Sequence, residues 1–263
     1  MRKLIVAAAV AALFSTGAVR AEDIKVGVTA GEHAQIMEKV AEIAAKKGLN
    51  IEIIEFSDYV VPNQALSDGD LNANSFQHQP YLDNQIADRG FDIVSVGTTI
   101  TTPMGVYSKK VKSLDELADG ATVAIPNDPT NGGRALLVLA SKGLIKVDAA
   151  KGLKVGPADV TENPKNISFV KIDRPQLAAS LDDPAVTLSI VNGNYALEAG
   201  LVPANDALIL ESAEGNPYAN VLVTKETMKD DPRVQKLAEA LESPELAKFI
   251  VDNYQGSVLP VNG

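Results

Sequence analysis

The 263-residue chain contains no cysteine and no tryptophan, and only two histidines. Zero cysteine excludes disulfides, thiolate nucleophiles and cysteine-ligated metals together. It also removes the residue on which a bacterial lipoprotein carries its lipid, which predicts a protein without a lipid anchor. His33 and His78 share no short motif, and two histidines are thin for a zinc centre. No G-x-S-x-G nucleophile elbow occurs. A secreted enzyme, the alternative from another functional class, therefore has no recognisable machinery, and no cofactor or metal is implied. Positive charge is scarce as well: 24 Lys and Arg against 34 Asp and Glu leave a net charge of −10.

Long apolar runs are lacking beyond the N-terminus. There Arg2 and Lys3 precede an apolar stretch from Leu4 to Phe14, and Val19-Arg20-Ala21 follows as a cleavage-type segment. Residues 1–21 read as a secretory signal peptide, with an apolar run too short to cross a bilayer well. The expected location is the periplasm, soluble after removal of the leader. Without Arg2, Lys3 and Arg20 the net charge of −10 becomes −13. So acidic a surface repels nucleic acid, which needs clustered Lys and Arg to displace counterions.

What remains is an alternation of strand and helix patterns. "IKVGVT" (24–29) reads as a buried strand, Ile36, Val40, Ile43 and Ala44 fall at helical spacing, and "LNIEIIEF" (49–56) alternates as a second strand. That order is a βαβ unit. A short helix ending near Gly69 follows. A further helix is expected to open within "NANSFQHQPYLDNQ" (72–85) and run to Arg89, before strands at 91–100 and around "MGVYSKK". The pattern then restarts with a capped helix at "SLDELADG", using Ser113 and Glu116, and a strand at 121–127. Strands at 167–172, "VTLSIV", "DALILES" and "YANVLVTKE" follow, with a helix at "RPQLAASLDDP" and two closing helices. The reading is two α/β lobes: residues 22–109 plus 217–263, and residues 110–216. Ligands of open α/β sheets bind at carboxyl ends of strands, here in the cleft between lobes.

Three clusters stand out. Tyr59, Phe76, His78 and Tyr81 concentrate aromatic surface in a chain that is only 5% aromatic. Pro80 places that stretch at a helix entrance, because proline suits a first turn. Such rings either pack in the core or line an apolar slot. In "IPNDPTNGGRALLVLA" (125–140), a strand ends and a helix begins near Thr130. Its first-turn N–H groups have no internal partners, Gly132 and Gly133 would let an anion approach, and the Arg134 fork could grip a carboxylate with two parallel bonds. No Lys-Ser/Thr pair follows the glycines, so this is not a phosphate loop. Asn192, Gly193 and Asn194 end another strand, and Asn216 and Asn220 flank a later one. Asparagine there serves turn chemistry or accepts from an ammonium group. Together the three clusters describe an amino acid with an apolar side chain.

"DYVVPNQAL", "FQHQPYL", "DPTNGGRALL" and "VNGNYA", in that order along the mature chain, resemble the methionine-binding periplasmic proteins of ABC importers, the NlpA or MetQ lipoprotein family. The resemblance implies an α/β, two-lobed type II periplasmic binding fold that closes on L-methionine and delivers it to an inner-membrane ABC permease. A methionine-containing dipeptide or another small amino acid is the alternative ligand. Carried over by motif, Arg134 pairs with the ligand carboxylate, and Asn192 and Asn216 hold the amino and carboxylate groups. Tyr59, Phe76, His78 and Tyr81 surround the thioether. No nucleic-acid partner is expected, and the protein is expected to act as a monomer.

Overall fold

The computed structural model describes residues 22–261, so the signal-peptide segment lies outside the described residues. The described residues start with β1 (Glu22–Thr29), α1 (Glu32–Ala45), β2 (Leu49–Phe56) and α2 (Val61–Asp68). Next come β3 (Ala73–His78), α3 (Gln79–Arg89), β4 (Ile93–Thr98) and a short β5 (Ile100–Thr101). A second region holds β6 (Gly105–Tyr107), β7 (Thr122–Pro126), α4 (Pro129–Ser141), β8 (Lys146–Val147) and β9 (Val160–Glu162). It continues with β10 (Ser168–Ile172), β11 (Leu188–Val191), α5 (Gly193–Glu198), α6 (Pro203–Asp206) and β12 (Ile209–Leu210). The chain then returns through β13 (Asn220–Lys225), α7 (Pro232–Leu241), α8 (Pro244–Tyr254) and β14 (Leu259–Pro260).

Two five-stranded sheets result, in the orders β2-β1-β3-β13-β4 and β10-β7-β11-β6-β12. They share one plan. Three parallel strands lead, the fourth runs antiparallel, and the fifth pairs antiparallel with the fourth. In each sheet the antiparallel strand has crossed over from the other half of the chain: β6 enters the second sheet directly after β5, and β13 returns to the first after β12. The result is the expected two-lobed α/β fold, one sheet to each lobe. Each sheet has its own core. Ile24, Val26 and Val28 of β1 bury against Ile36, Met37, Val40 and Ile43 of α1, together with Leu237 and Ile250 of the closing helices. Val123, Ile125, Leu136, Leu139 and Leu188 anchor the second. Each such side chain contributes about 1.5–3 kcal/mol on burial.

Three local expectations are corrected. Ala73–His78 is a strand, not the start of a helix, and every residue of it is buried. Its polar residues disguise it, because Asn74 and Gln77 bond to Asn63 on α2 rather than to water. Leu114–Glu116 is a single 3-10 turn without a Ser113 cap; Glu116 instead accepts from the Lys112 N–H at 2.8 Å. "RPQLAASLDDP" forms two 3-10 turns, Arg174–Gln176 and Ala179–Asp182, rather than one helix. Gly105–Tyr107, which the sequence reading placed in the first lobe, pairs with β11 and β12 of the second sheet.

Candidate functional site

The aromatic residues lie where the two sheets face each other. Phe76 lies on β3, Tyr81 on α3 and Tyr59 in the loop between β2 and α2. They share one buried cluster with Tyr107, Val191 and Tyr195 from the second. The Tyr59 and Tyr195 rings stack with centroids 5.1 Å apart, and Tyr59 stands 5.6 Å from Phe76. Tyr59 donates its hydroxyl hydrogen bond to the Asn194 side-chain oxygen across the seam, while its own carbonyl accepts from the Tyr81 hydroxyl at 3.0 Å. The sequence placed Pro80 in a first turn; it is the second residue of α3, and His78 caps that helix by accepting the Tyr81 N–H on Nδ1 at 3.1 Å. With Nδ1 an acceptor, the proton of the neutral ring sits on Nε2. Burial, helped by the nearby Arg134 charge, lowers the His78 pKa to about 4 and keeps the ring neutral.

Asn131, which sequence reading did not single out, is the hub of the second wall. It is fully buried, and its Oδ1 accepts from His78 Nε2 at 3.1 Å and from Asn192 Nδ2 at 2.8 Å. Its Nδ2 donates to both Asp128 carboxylate oxygens. Asp128 also caps α4 by accepting the Asn131 N–H, and Arg174 lies 3.0 Å from its other oxygen. The expected anion site at this helix entrance is thereby corrected, since the protein's own carboxylate fills it. The glycine pair serves close packing instead. A Cβ on Gly132 would lie 2.9 Å from the Pro126 carbonyl oxygen, and one on Gly133 would lie 2.7 Å from that of Val155. Carbonyl oxygens so near would repel an anion.

Arg134 projects inward and is 2% exposed. Its parallel grip goes to Glu211, not outward: Nε donates to Oε1 at 2.9 Å and Nη2 to Oε2. Nη2 also donates to the Thr102 carbonyl at 3.0 Å, and the guanidinium lies 4.5 Å from the Tyr218 ring centroid. Burial alone would raise the Glu211 carboxyl. The Arg134 charge, its hydrogen bonds and the Met104 N–H reverse that and hold it below the ordinary carboxylate range. The two-nitrogen grip expected for a ligand carboxylate is thus made with Glu211 in this structure. Nη1 makes no hydrogen bond among the described residues.

These groups enclose one cavity, lined by Tyr59, Phe76, His78, Tyr81, Arg134 and Asn192, with Gln77, Thr102, Asn131 and Asn220 completing it. Six of the seven site residues expected from sequence meet there. Asn216 does not. It closes a turn, donating to the Ser212 carbonyl and accepting the Tyr218 N–H, both at 2.8 Å. The later asparagine that does line the cavity is Asn220, whose Nδ2 lies 2.8 Å from His33 Nε2. Asn192 Oδ1 and Asn220 Oδ1 accept no hydrogen bond among the described residues. The cavity thus brings one unpaired cationic donor and two unpaired amide oxygens to an aromatic wall. About 10 Å³ of it is open to the centre of a water-sized sphere, roughly one water's worth, so the walls must part to admit anything larger. A wider groove of about 580 Å³ runs between α3 and the start of α4. No buried polar group without a partner lines it among the described residues.

The family model described as NlpA lipoprotein matches residues 24–262. The chain belongs to that family. It is 50% identical over 224 residues to the D-methionine-binding lipoprotein MetQ of Salmonella typhimurium, covering 85% of this chain and 82% of that protein. Among solved structures, the methionine-binding protein MetQ superposes with a TM-score of 0.88 at 47% identity, over 90% of this chain and 97% of that one. A nutrient-binding protein from Burkholderia cenocepacia bound to methionine gives 0.87 at 48%, over 90% and 99%. The family consists of substrate-binding proteins. These comparisons also correct the expected localisation: the family and the relatives are named lipoproteins, against a soluble form without a lipid anchor. Lack of cysteine in this chain is a statement about composition, and it does not establish a protein free of the membrane.

Proposed function

We propose that this protein captures one free methionine between its lobes and delivers it to the permease of an ABC importer, binding the amino acid without converting it. The observation that carries this reading is the convergence of Arg134 Nη1, Asn192 Oδ1 and Asn220 Oδ1 in one aromatic-walled cavity. Arg134 Nη1 donates to the ligand carboxylate. The two amide oxygens accept from its ammonium group. Tyr59, Phe76 and Tyr81, with the edge of His78, surround the thioether, whose sulfur gains about 0.3–1.5 kcal/mol per aromatic contact. The names of the Salmonella relative and of the Burkholderia structure support methionine as the ligand. For the lobes themselves, the strand pairings favour a first crossing at residues 102–104 over the expected 109/110, while the expected return at 216/217 falls within the second crossing, residues 211–219.

Calorimetry with L-methionine, D-methionine, leucine and methionine dipeptides tests this directly. Free methionine is expected to bind at least tenfold more tightly than leucine, and to be recovered unchanged by mass spectrometry. Leucine binding as tightly as methionine, or turnover of methionine, contradicts the reading.

A further inference from the structure

His33 does not line the cavity, yet it is 3% exposed and both its ring nitrogens are engaged. Nδ1 faces two oxygens, Thr29 Oγ1 at 3.0 Å and Glu32 Oε1 at 3.2 Å. Nε2 faces the Asn220 amide nitrogen at 2.8 Å. An amide NH₂ only donates, so Nε2 must offer its lone pair, and the single proton of a neutral ring sits on Nδ1. Burial keeps the ring neutral, with its pKa lowered to about 4. His78 carries its proton on the opposite nitrogen, because there Nδ1 accepts and Nε2 donates.

We propose that His33 is a positioning residue: by accepting from Asn220 Nδ2 it fixes which way the amide faces, so the cavity presents an oxygen to the ligand's ammonium group. This rests on the methionine reading. Were the proton on Nε2, Asn220 would turn its oxygen to His33 and its NH₂ to the cavity. Donor would then face donor, and the site would reject an ammonium group it now accepts. Asn192 is oriented by the same logic from the other wall, through His78 and Asn131. His33 touches neither cavity nor ligand, so its effect reaches the ligand only through Asn220.

Two measurements test this. In a long-range ¹H–¹⁵N spectrum of the ¹⁵N-labelled full chain at neutral pH, without ligand, His33 is expected as the Nδ1–H tautomer and His78 as the Nε2–H tautomer. Only two histidines exist, and H33Q assigns them. A His33 ring protonated on Nε2, or on both nitrogens, overturns the proposal whatever the protein binds. The second measurement compares affinities for methionine and its des-amino analogue in wild type, H33Q and H33M. Loss of one oriented acceptor for an ammonium is expected to shrink the preference for methionine about tenfold in H33M. H33Q, whose amide oxygen can accept from Asn220, retains most of it. A folded H33M with undiminished preference overturns the proposal. Wild type that binds no methionine removes the functional reading instead, and the tautomer spectrum still decides the orientation.

Discussion

At the scale of single residues, Arg134 and Asn220 have different duties, and their variants should separate them. Arg134 neutralises the partly buried Glu211 carboxylate as well as offering Nη1 to the cavity. R134A is therefore expected to weaken methionine binding by about 2–5 kcal/mol and also to destabilise the fold by about 2–4 kcal/mol, because the partly buried Glu211 is left without its counter-charge. N220A loses one oriented acceptor and should weaken binding by about 1.5–3 kcal/mol. Its urea unfolding midpoint should drop less than that of R134A. Equal loss of stability in both variants would contradict this division. The inward arginine was legible in "DPTNGGR", since a guanidinium near a helix entrance is a ready carboxylate partner. Glu211 was not, because it lies 77 residues away in sequence on a short strand's exit, and only the fold brings it within 2.9 Å. Asn216 and Asn220 could not be told apart by type or by spacing. Asn216 closes a turn, whereas β13 sets Asn220 beside His78 on the cavity wall.

At the scale of elements, β3 shows where periodicity misleads. Hydropathy patterning assumes that a buried strand is apolar, yet Asn74, Ser75, Gln77 and His78 occupy the middle of the first sheet. They are tolerated because their polar atoms are paired: Asn63 Nδ2 donates to Gln77 at 2.7 Å, and Asn74 Nδ2 donates to Asn63 at 2.9 Å. Those bonds also place Phe76 and His78 at the cavity. N74L removes a central member and strands its partners, so about 1–3 kcal/mol of stability should be lost, measured by urea unfolding. A variant as stable as wild type would show the network to be dispensable. Helices α1, α7 and α8 were readable because their apolar residues recur on one face. The 3-10 turns at 174–182 were not, because proline and short apolar spacing fit a helix start equally well.

At the scale of the whole molecule, the repeated sheet plan explains why the cavity forms between lobes. Each sheet borrows its antiparallel strand from across the crossing, so β13 carries Asn220 into the first sheet beside His78. No sequence repeat announces this symmetry; it exists only in the order of strands. Buried titratable groups also give the molecule a characteristic pH profile. His33 and His78 fall from 6.5 to about 4 through burial, so the folded state binds fewer protons than the unfolded state between those values. Their contribution is present above pH 6.5 and is lost as pH falls. Glu32 is raised from 4.5 to about 8 by burial, with the Glu198 charge adding to it, so its contribution is complete below pH 4.5 and lost as pH rises to about 8. The melting temperature should therefore peak near pH 6.5, about where the histidines stop titrating. E32Q should abolish the decline between pH 6.5 and about 8; an unchanged decline would assign it elsewhere. A crystal structure of the methionine complex tests the proposed binding mode most directly. The carboxylate is expected on Arg134 Nη1, the ammonium on the Asn192 and Asn220 oxygens, and the sulfur among Tyr59, Phe76 and Tyr81. Methionine seated in the groove between α3 and α4, or held in the cavity without contact to Arg134, would contradict it.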